Sequence, residues 1–303
     1  MSRRNPKGRE INGVLLLDKD TGISSNSALQ KVKRLFFAKK AGHTGSLDPL
    51  ASGILPICLG QATKIAGFLL ADNKRYFVRA QLGQITDTLD SDGVVIEQKP
   101  FEHLTKESVF EVAKSYQGEI EQIPPMYSAL KKDGQPLYKL ARQGIEVDRK
   151  PRKVTIHTIE CLAYENGILS LEVSCSKGTY IRTLIDDIGR QLNCGAHVIE
   201  LRRTGFAHLD ISQAISFAAL EELIDENYQQ LDAQLLAAET LLPTMHNLYL
   251  DKQQTQRIKH GGSITIDEPM IFEIVKLFDD QRKFIGIGET DGNGGIKPKR
   301  LFI

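Results

Sequence analysis

Hydrophobic and polar positions along the chain alternate between strand-like and helix-like periods. Ile11-Asn12-Gly13-Val14-Leu15-Leu16-Leu17-Asp18-Lys19 carries a continuous apolar run and ends in a turn at Asp20-Thr21-Gly22, the signature of a buried strand. Leu29, Val32, Leu35 and Phe36 then fall on one helical face, with Ser24 or Ser25 as the cap. Lys31, Lys33 and Arg34 lie largely off that face. From Arg75 to Leu82 the period is two, with Tyr76, Val78, Ala80 and Leu82 on one side of a half-buried strand. A helix is predicted from Thr105 through Val109, Phe110, Val112 and Ala113 to a stop at Gly118. Val154-Thr155-Ile156-His157 onward and Leu169 to Cys175 read as two strands joined near Asn166-Gly167, a favoured hairpin turn. Ile181, Leu184, Ile185, Ile188 and Leu192 line one face of a further helix.

Between these periodic segments lies an irregular one. Pro124-Pro125 forbids a helix, and the basic stretch that follows to Lys153 is punctuated by Gly134 and Gly144. Long irregular insertions in compact domains are either functional or disordered. Leu137, Tyr138 and Leu140 interleave with Lys139 and Arg142, which a purely floppy loop does not explain. The stretch to Met245 carries helical patches around 218–226 and 230–240 and stops at Pro243. From His246 short strands are predicted at Met270–Val275, Phe284–Gly288 and Lys299–Ile303, with a turn at Asp291–Gly295, suggesting a small β-barrel. The 303 residues suit about two domains. These are 1–245, with an insertion at about 124–153, and 246–303. The fold class is α+β.

Composition narrows the function. The net charge of +1 conceals a segregation: Thr21 to Leu47 holds five bases and no acid, whereas Phe206 to Met245 holds seven acids and no Lys or Arg. Met126 to His157 adds eight bases against three acids. Such a chain can present a basic face to a polyanion, although each run alone also suits a solvated face. The four cysteines form no Cys-x-x-Cys pair, against zinc or a disulfide framework and in favour of a reducing, cytoplasmic setting. The first ten residues, a loose basic arm, lack the apolar segment of a secretory signal. No apolar run is long enough for a membrane span. No phosphate- or dinucleotide-binding glycine pattern occurs, so no metal and no cofactor is expected.

The candidate chemistry centres on Gly42-His43-Thr44-Gly45-Ser46-Leu47-Asp48-Pro49-Leu50-Ala51-Ser52-Gly53, a glycine-bounded loop holding one carboxylate, Asp48. Asp-Pro is a common helix start, with the aspartate as cap and the proline in the first turn. The residues alone leave open whether Asp48 caps a helix or does chemistry. Tyr76 is likewise open between core packing and function. The acids of Gly83–Gly93 lack calcium-loop spacing and read as turn residues.

The string GHTGSLDPLASGILPICLGQATK resembles the catalytic motif of the TruB-type tRNA pseudouridine-55 synthases. GVLLLDK, KRY, the 83–93 turn, PPMYSALK with YKLAR, KGTYIR and GAHV…LRR match further segments of that family across nearly residues 11–205. The resemblance implies a pseudouridine synthase fold, with a mixed, largely antiparallel central sheet flanked by helices and a C-terminal PUA-like β-barrel domain. It implies Asp48 as the catalytic residue, paired with Arg182, and a flipped uridine contacted by Tyr76, Tyr180 and Leu201. His43 would help hold the RNA loop or the flipped nucleotide. Arg182 would also hold the Asp48 carboxyl below its usual pKa. The implied substrate is the T-arm stem-loop of tRNA, gripped by 124–153 as a thumb. The length of that thumb suits the stand-alone, monomeric type rather than relatives that need guide RNA. One departure is Asp20, where the family has proline; it is expected to alter turn stiffness rather than chemistry. The rival readings are a tRNA-binding or folding chaperone without chemistry, and a carboxylate hydrolase, for which no second acid stands out.

Overall fold

The computed structural model describes residues 8–69, 72–267 and 271–302. The apolar run forms β1 (Gly13–Lys19), and Ser24, accepting from the amide of Ser27, caps α1 (Ser25–Leu35). There follow β2 (Ala41–His43), β3 (Ser52–Leu59), β4 (Lys74–Leu82), α2 (Lys106–Ser115, capped by Thr105) and β5 (Gly118–Gln122). The hairpin β6 (Arg152–Glu165) and β7 (Ile168–Cys175) turns at Asn166 and Gly167, both at positive φ as a two-residue turn of this hand requires. The helix α3 (Ile181–Gln191) and β8 (Ala196–Phe206) complete the frame.

The strands pair in the order β1-β3-β8-β4-β7-β6-β5, and every junction is antiparallel except β3 with β8. That parallel joint is two residues long, with Arg202 opposite Ser52 and Arg203 opposite Gly53. One sheet face buries Leu15, Leu55, Ile57, Val78, Ala80, Leu171 and Val173 beneath α1, α2 and α3. Val14, Leu16, Ile54 and Cys58 point the other way into a second core. Burial on both faces explains why β1 and β3 read as unbroken apolar runs.

The second core is shared. The C-terminal sheet has the order His246–Tyr249, Ile274–Phe278, Phe284–Thr290, Gly295–Leu301, Ile264–Thr265, and it curls into a PUA-like half-barrel. Its Phe278, Phe284 and Ile287 pack among Val14, Leu16 and Phe206. Lys64 also donates to the carbonyl of Leu301.

Several expectations shift. No helix starts at Asp48; Pro49 and Leu50 form a bend instead. The acidic stretch holds only short pieces, α-helical at Phe217–Glu222 and Gln229–Asp232 and 3₁₀ at Ile211–Gln213 and Ala238–Leu241; Tyr228, at a left-handed φ of 60°, precedes the second α-helix. The strand placed at Met270–Val275 runs at Ile274–Phe278, and Met270 and Ile303 lie outside the described residues. The strand His246–Tyr249 and the helix Lys252–Lys259 were not anticipated, although Asp251 and Gln254 form a capping box readable in the sequence. Most of the expected basic arm, residues 1–7, lies outside the described residues. Its end is not loose: Arg9 reaches Asp232 at 2.6 Å and lies over the Tyr228 ring. Within 124–153 a short hairpin, Lys131–Lys132 with Gln135–Pro136, leads into a helix at Leu137–Ala141. Among the described residues no helix is long and apolar enough to cross a membrane.

The shared core bears on whether the C-terminal segment is an independent unit. Phe284→Ala should cost about 3–5 kcal/mol, as large-to-small changes at buried aromatics do. Calorimetry should show one transition moving to lower temperature. A separate C-terminal transition that moves alone would indicate a unit that folds by itself.

Candidate functional site

The loop between β2 and β3 is pinned from both sides. The hydroxyl of Ser25, in the first turn of α1, donates to the Leu47 carbonyl (2.9 Å) and accepts from the Leu47 amide (2.7 Å). The Pro49 carbonyl accepts from Gly22 at 2.8 Å, and the Asp48 carbonyl accepts from Ala51 at 3.1 Å. Asp48 thus spends its backbone, not its side chain, on the turn. The carboxylate is left to project into a cavity of about 130 Å³.

The cavity brings together Asp48, Tyr76, Tyr180, Arg182 and Leu201. Tyr76 and Leu201 come from the neighbouring strands β4 and β8, where Leu201 faces Val78 and Arg203 faces Tyr76. Tyr180 sits at the N-cap of α3; its amide donates to Gln122 Oε1 (3.0 Å) and its carbonyl accepts from Gln122 Nε2 (3.2 Å). This exchange fixes the entry of α3 against the end of β5. Burial pushes the Tyr180 hydroxyl up in pKa.

Arg182, one residue into α3 and 4% exposed, organises the site. Its Nη2 lies 2.9 Å from Asp48 Oδ2 and donates to the Tyr127 carbonyl at 2.8 Å. Its Nη1 donates to Asp90 Oδ2 at 3.1 Å and to the Thr88 carbonyl at 2.9 Å. One guanidinium therefore joins the Asp48 loop, the 83–93 turn and the root of the thumb.

Asp90 corrects the reading of that turn. It is 3% exposed and accepts from Thr88 Oγ1 and the Asp92 amide as well as from Arg182. It is a second carboxylate of the site, not an ordinary turn acid. No local pattern marks it, because its partner is 92 residues away. Lys19 was also missed: it is fully buried, donates to the carbonyls of Asp20 and Ile23, and burial brings it down to about 8. Asp20 itself is exposed in the turn.

His43 stands apart from the cavity lining. It lies on β2 opposite Ile57, half-buried, and burial lowers its imidazole pKa, which favours the neutral ring. The expected depression of Asp48 is reversed. Burial raises its pKa first of all; the charge of Arg182 opposes this, Asp90 reinforces it, and Lys19 opposes it further. Desolvation outweighs the ion pair, and the like charge of Asp90 adds to it. Among the described residues no group of three or more His, Cys, Asp or Glu is placed to hold a metal ion.

One buried arginine thus joins two carboxylates, Asp48 and Asp90, on a mixed sheet beside the irregular insertion at 124–153. Residues 33–181 match the TruB family pseudouridylate synthase N-terminal domain. Residues 182–243 match the tRNA pseudouridylate synthase B C-terminal domain, and 247–302 match the pseudouridine synthase II TruB C-terminal model. The chain belongs to the TruB family. It is 47% identical over 311 residues to "tRNA pseudouridine synthase B" of Vibrio atlanticus, covering 100% of this chain and 98% of that protein. Against the protein of the same name from Nitrosococcus oceani it is 49% identical over 301 residues, covering 99% and 98%. Among solved structures, an H/ACA RNP bound to a substrate RNA containing 2′-deoxyuridine superposes with a TM-score of 0.72 at 21% identity, covering 100% of this chain and 92% of that one. That likeness speaks to the fold.

The charge arrangement predicts how Asp48 titrates. Asp90→Asn removes the neighbouring like charge and leaves Arg182 less divided, and both changes favour the ionised form of Asp48. Its pKa should fall, as read by carboxyl NMR titration of the folded protein. An unchanged or higher value would show that Asp90 does not act on Asp48.

Proposed function

We propose that the protein isomerises uridine to pseudouridine at position 55 in the T-loop of tRNA, acting as a monomer in the cytoplasm without guide RNA. The observation that carries this reading is the Asp48–Arg182 pair at 2.9 Å, facing a cavity of about 130 Å³ in a TruB-family chain. A cavity of that size suits one flipped base rather than a length of chain. Extruding the base costs a few kcal/mol of unstacking. Tyr76 and Leu201 would hold the extruded ring and Tyr180 would close its edge. His43, on the strand leading into the Asp48 loop, would support the flipped nucleotide or its neighbours.

The reaction needs no water and no co-reactant. The bond from C1′ to N1 breaks, the base turns, and C1′ bonds to C5; C5 loses its hydrogen and N1 gains one. Asp48 is the group that acts on the nucleotide. Arg182 holds that carboxylate in place while keeping it ionised against the surrounding burial. The basic hairpin and helix of the thumb would meet the RNA backbone.

Two experiments test this. Asp48→Asn keeps the size of the side chain and removes its charge, so pseudouridine formation should vanish while tRNA binding stays near wild type. Because folding raises the Asp48 pKa, its contribution to stability is present below the unfolded value and lost as pH rises through the folded value. At neutral pH the ionised group therefore counts against the fold, and Arg182 keeps Asp90, Thr88 and Tyr127 as partners in the variant. The melting temperature should hold or rise. Activity near wild type would remove Asp48 from the chemistry and leave a tRNA-binding protein.

Deleting Lys131–Lys150 tests the thumb. Each lost phosphate contact should lower the slope of log affinity against log salt by roughly one. A slope equal to that of the intact protein would take the thumb out of RNA binding.

A further inference from the structure

Arg203 is the largest fully buried side chain among the described residues, at 1% exposure, yet no carboxylate among them pairs with it. Its Nε donates to the Ile54 carbonyl at 2.7 Å, and its guanidinium lies 5.6 Å from the centre of the Phe206 ring. Its Nη2 is buried with no hydrogen-bond partner. A buried charge held this way is costly, and a structural peg needs only the Nε contact. The free end is what calls for an explanation.

The strand register supplies a partner. Arg203 on β8 is directly opposite Tyr76 on β4 in an antiparallel pair. Opposed residues share a sheet face, with Cβ atoms about 4.5–5.5 Å apart. The opposite edge of β8 is locked at the same residue: Gly53, at φ +102°, lies where a Cβ would stand 2.2 Å from the Arg203 carbonyl oxygen. Only glycine lets β3 approach this closely, so the backbone of Arg203 has no freedom to shift. Burial raises the pKa of the Tyr76 hydroxyl, and Arg203 opposes that rise; Cys175 and Asp48 are the other titratable groups facing it, and both push it up.

We propose that Arg203 is a positioning residue for Tyr76, its guanidinium holding the tyrosine hydroxyl from within the sheet and so setting the ring that faces the cavity. The inference rests on the reading of Tyr76 as a base-contacting residue. It gives the LRR segment a role beyond placing Leu201. It also gives Gly53 a role, since that glycine fixes the strand from which the guanidinium reaches.

The test is a double-mutant cycle on the full-length protein, with single-turnover pseudouridine formation on tRNA and tRNA affinity as readouts. Arg203→Met should slow the rate by at least about tenfold with affinity changed less than about twofold, the pattern of a group acting on the reacting complex rather than on binding. In a Tyr76→Phe background the same change should slow the rate by less than about twofold, because the hydroxyl it acts on is gone. Equal losses in both backgrounds would make Arg203 a structural peg and overturn the inference while leaving Tyr76 in the site. A Tyr76→Phe variant as fast as wild type would overturn the Tyr76 reading itself, and the inference with it. The ultraviolet titration difference between each protein and its Tyr76→Phe counterpart isolates one phenol, which should titrate at higher pH in Arg203→Met. An unmoved phenol counts against the proposal. Should Arg203→Met fail to fold, Arg203→Lys enters the same cycle, since an ammonium cannot hold both Ile54 and Tyr76.

Discussion

The structure depends on one buried cation. Removing a guanidinium from water costs several kcal/mol unless its donors are matched. Arg182 is matched by the carboxylates of Asp48 and Asp90 and the carbonyls of Thr88 and Tyr127. These acceptors come from three separate loops, which the arginine joins at one point. The arginine therefore does for the loops what hydrogen-bond ladders do for the strands. It gives them one arrangement, because any other leaves a buried charge without its partners.

What makes that arrangement rigid lies behind it. The carbonyl and amide of Leu47 are clamped by a serine on α1, and α3 enters at the end of β5 through Gln122. β1 and β3 are buried on both faces, by the helices on one side and by the C-terminal sheet on the other. The strand that follows the Asp48 loop is thus held between two cores. A displacement of the C-terminal sheet would loosen the back of β3, which leads directly from the Asp48 loop. The C-terminal sheet and the strand behind the Asp48 loop thus share one core even though their residues are far apart in sequence.

Features set by neighbours in the chain were legible in the sequence. The Ser24 cap, the Asn166-Gly167 turn, the alternation through Tyr76–Leu82 and the apolar face of α3 all follow from spacing and turn chemistry. Family motifs added the pairing of Asp48 with Arg182 and the gathering of Tyr76, Tyr180 and Leu201, and the cavity contains all five. What escaped depends on partners distant in sequence. Asp90 sits among acids that a turn would expose, and only the fold buries it against Arg182. The helices of the acidic stretch are shorter than their periodicity suggests, and the left-handed backbone angle of Tyr228 at the start of the second is not foreseen by propensity. Placing His43 against a strand, rather than at the cavity wall, likewise needed the register of β2 on β3.

The reversed pKa of Asp48 follows from the same tertiary effects, and it bears on reactivity. A carboxylate held by an undivided arginine would be stable, fully ionised and chemically quiet. Here the arginine also holds Asp90, and burial and the like charge of Asp90 both push the Asp48 pKa up. Both effects raise the free energy of the ionised form while Arg182 and Lys19 keep it accessible. An anion less stabilised by its surroundings has more to gain by bonding to an electrophilic carbon or by taking a proton. The second carboxylate, which no local pattern in the sequence marks, thus works against the pull of Arg182 on Asp48.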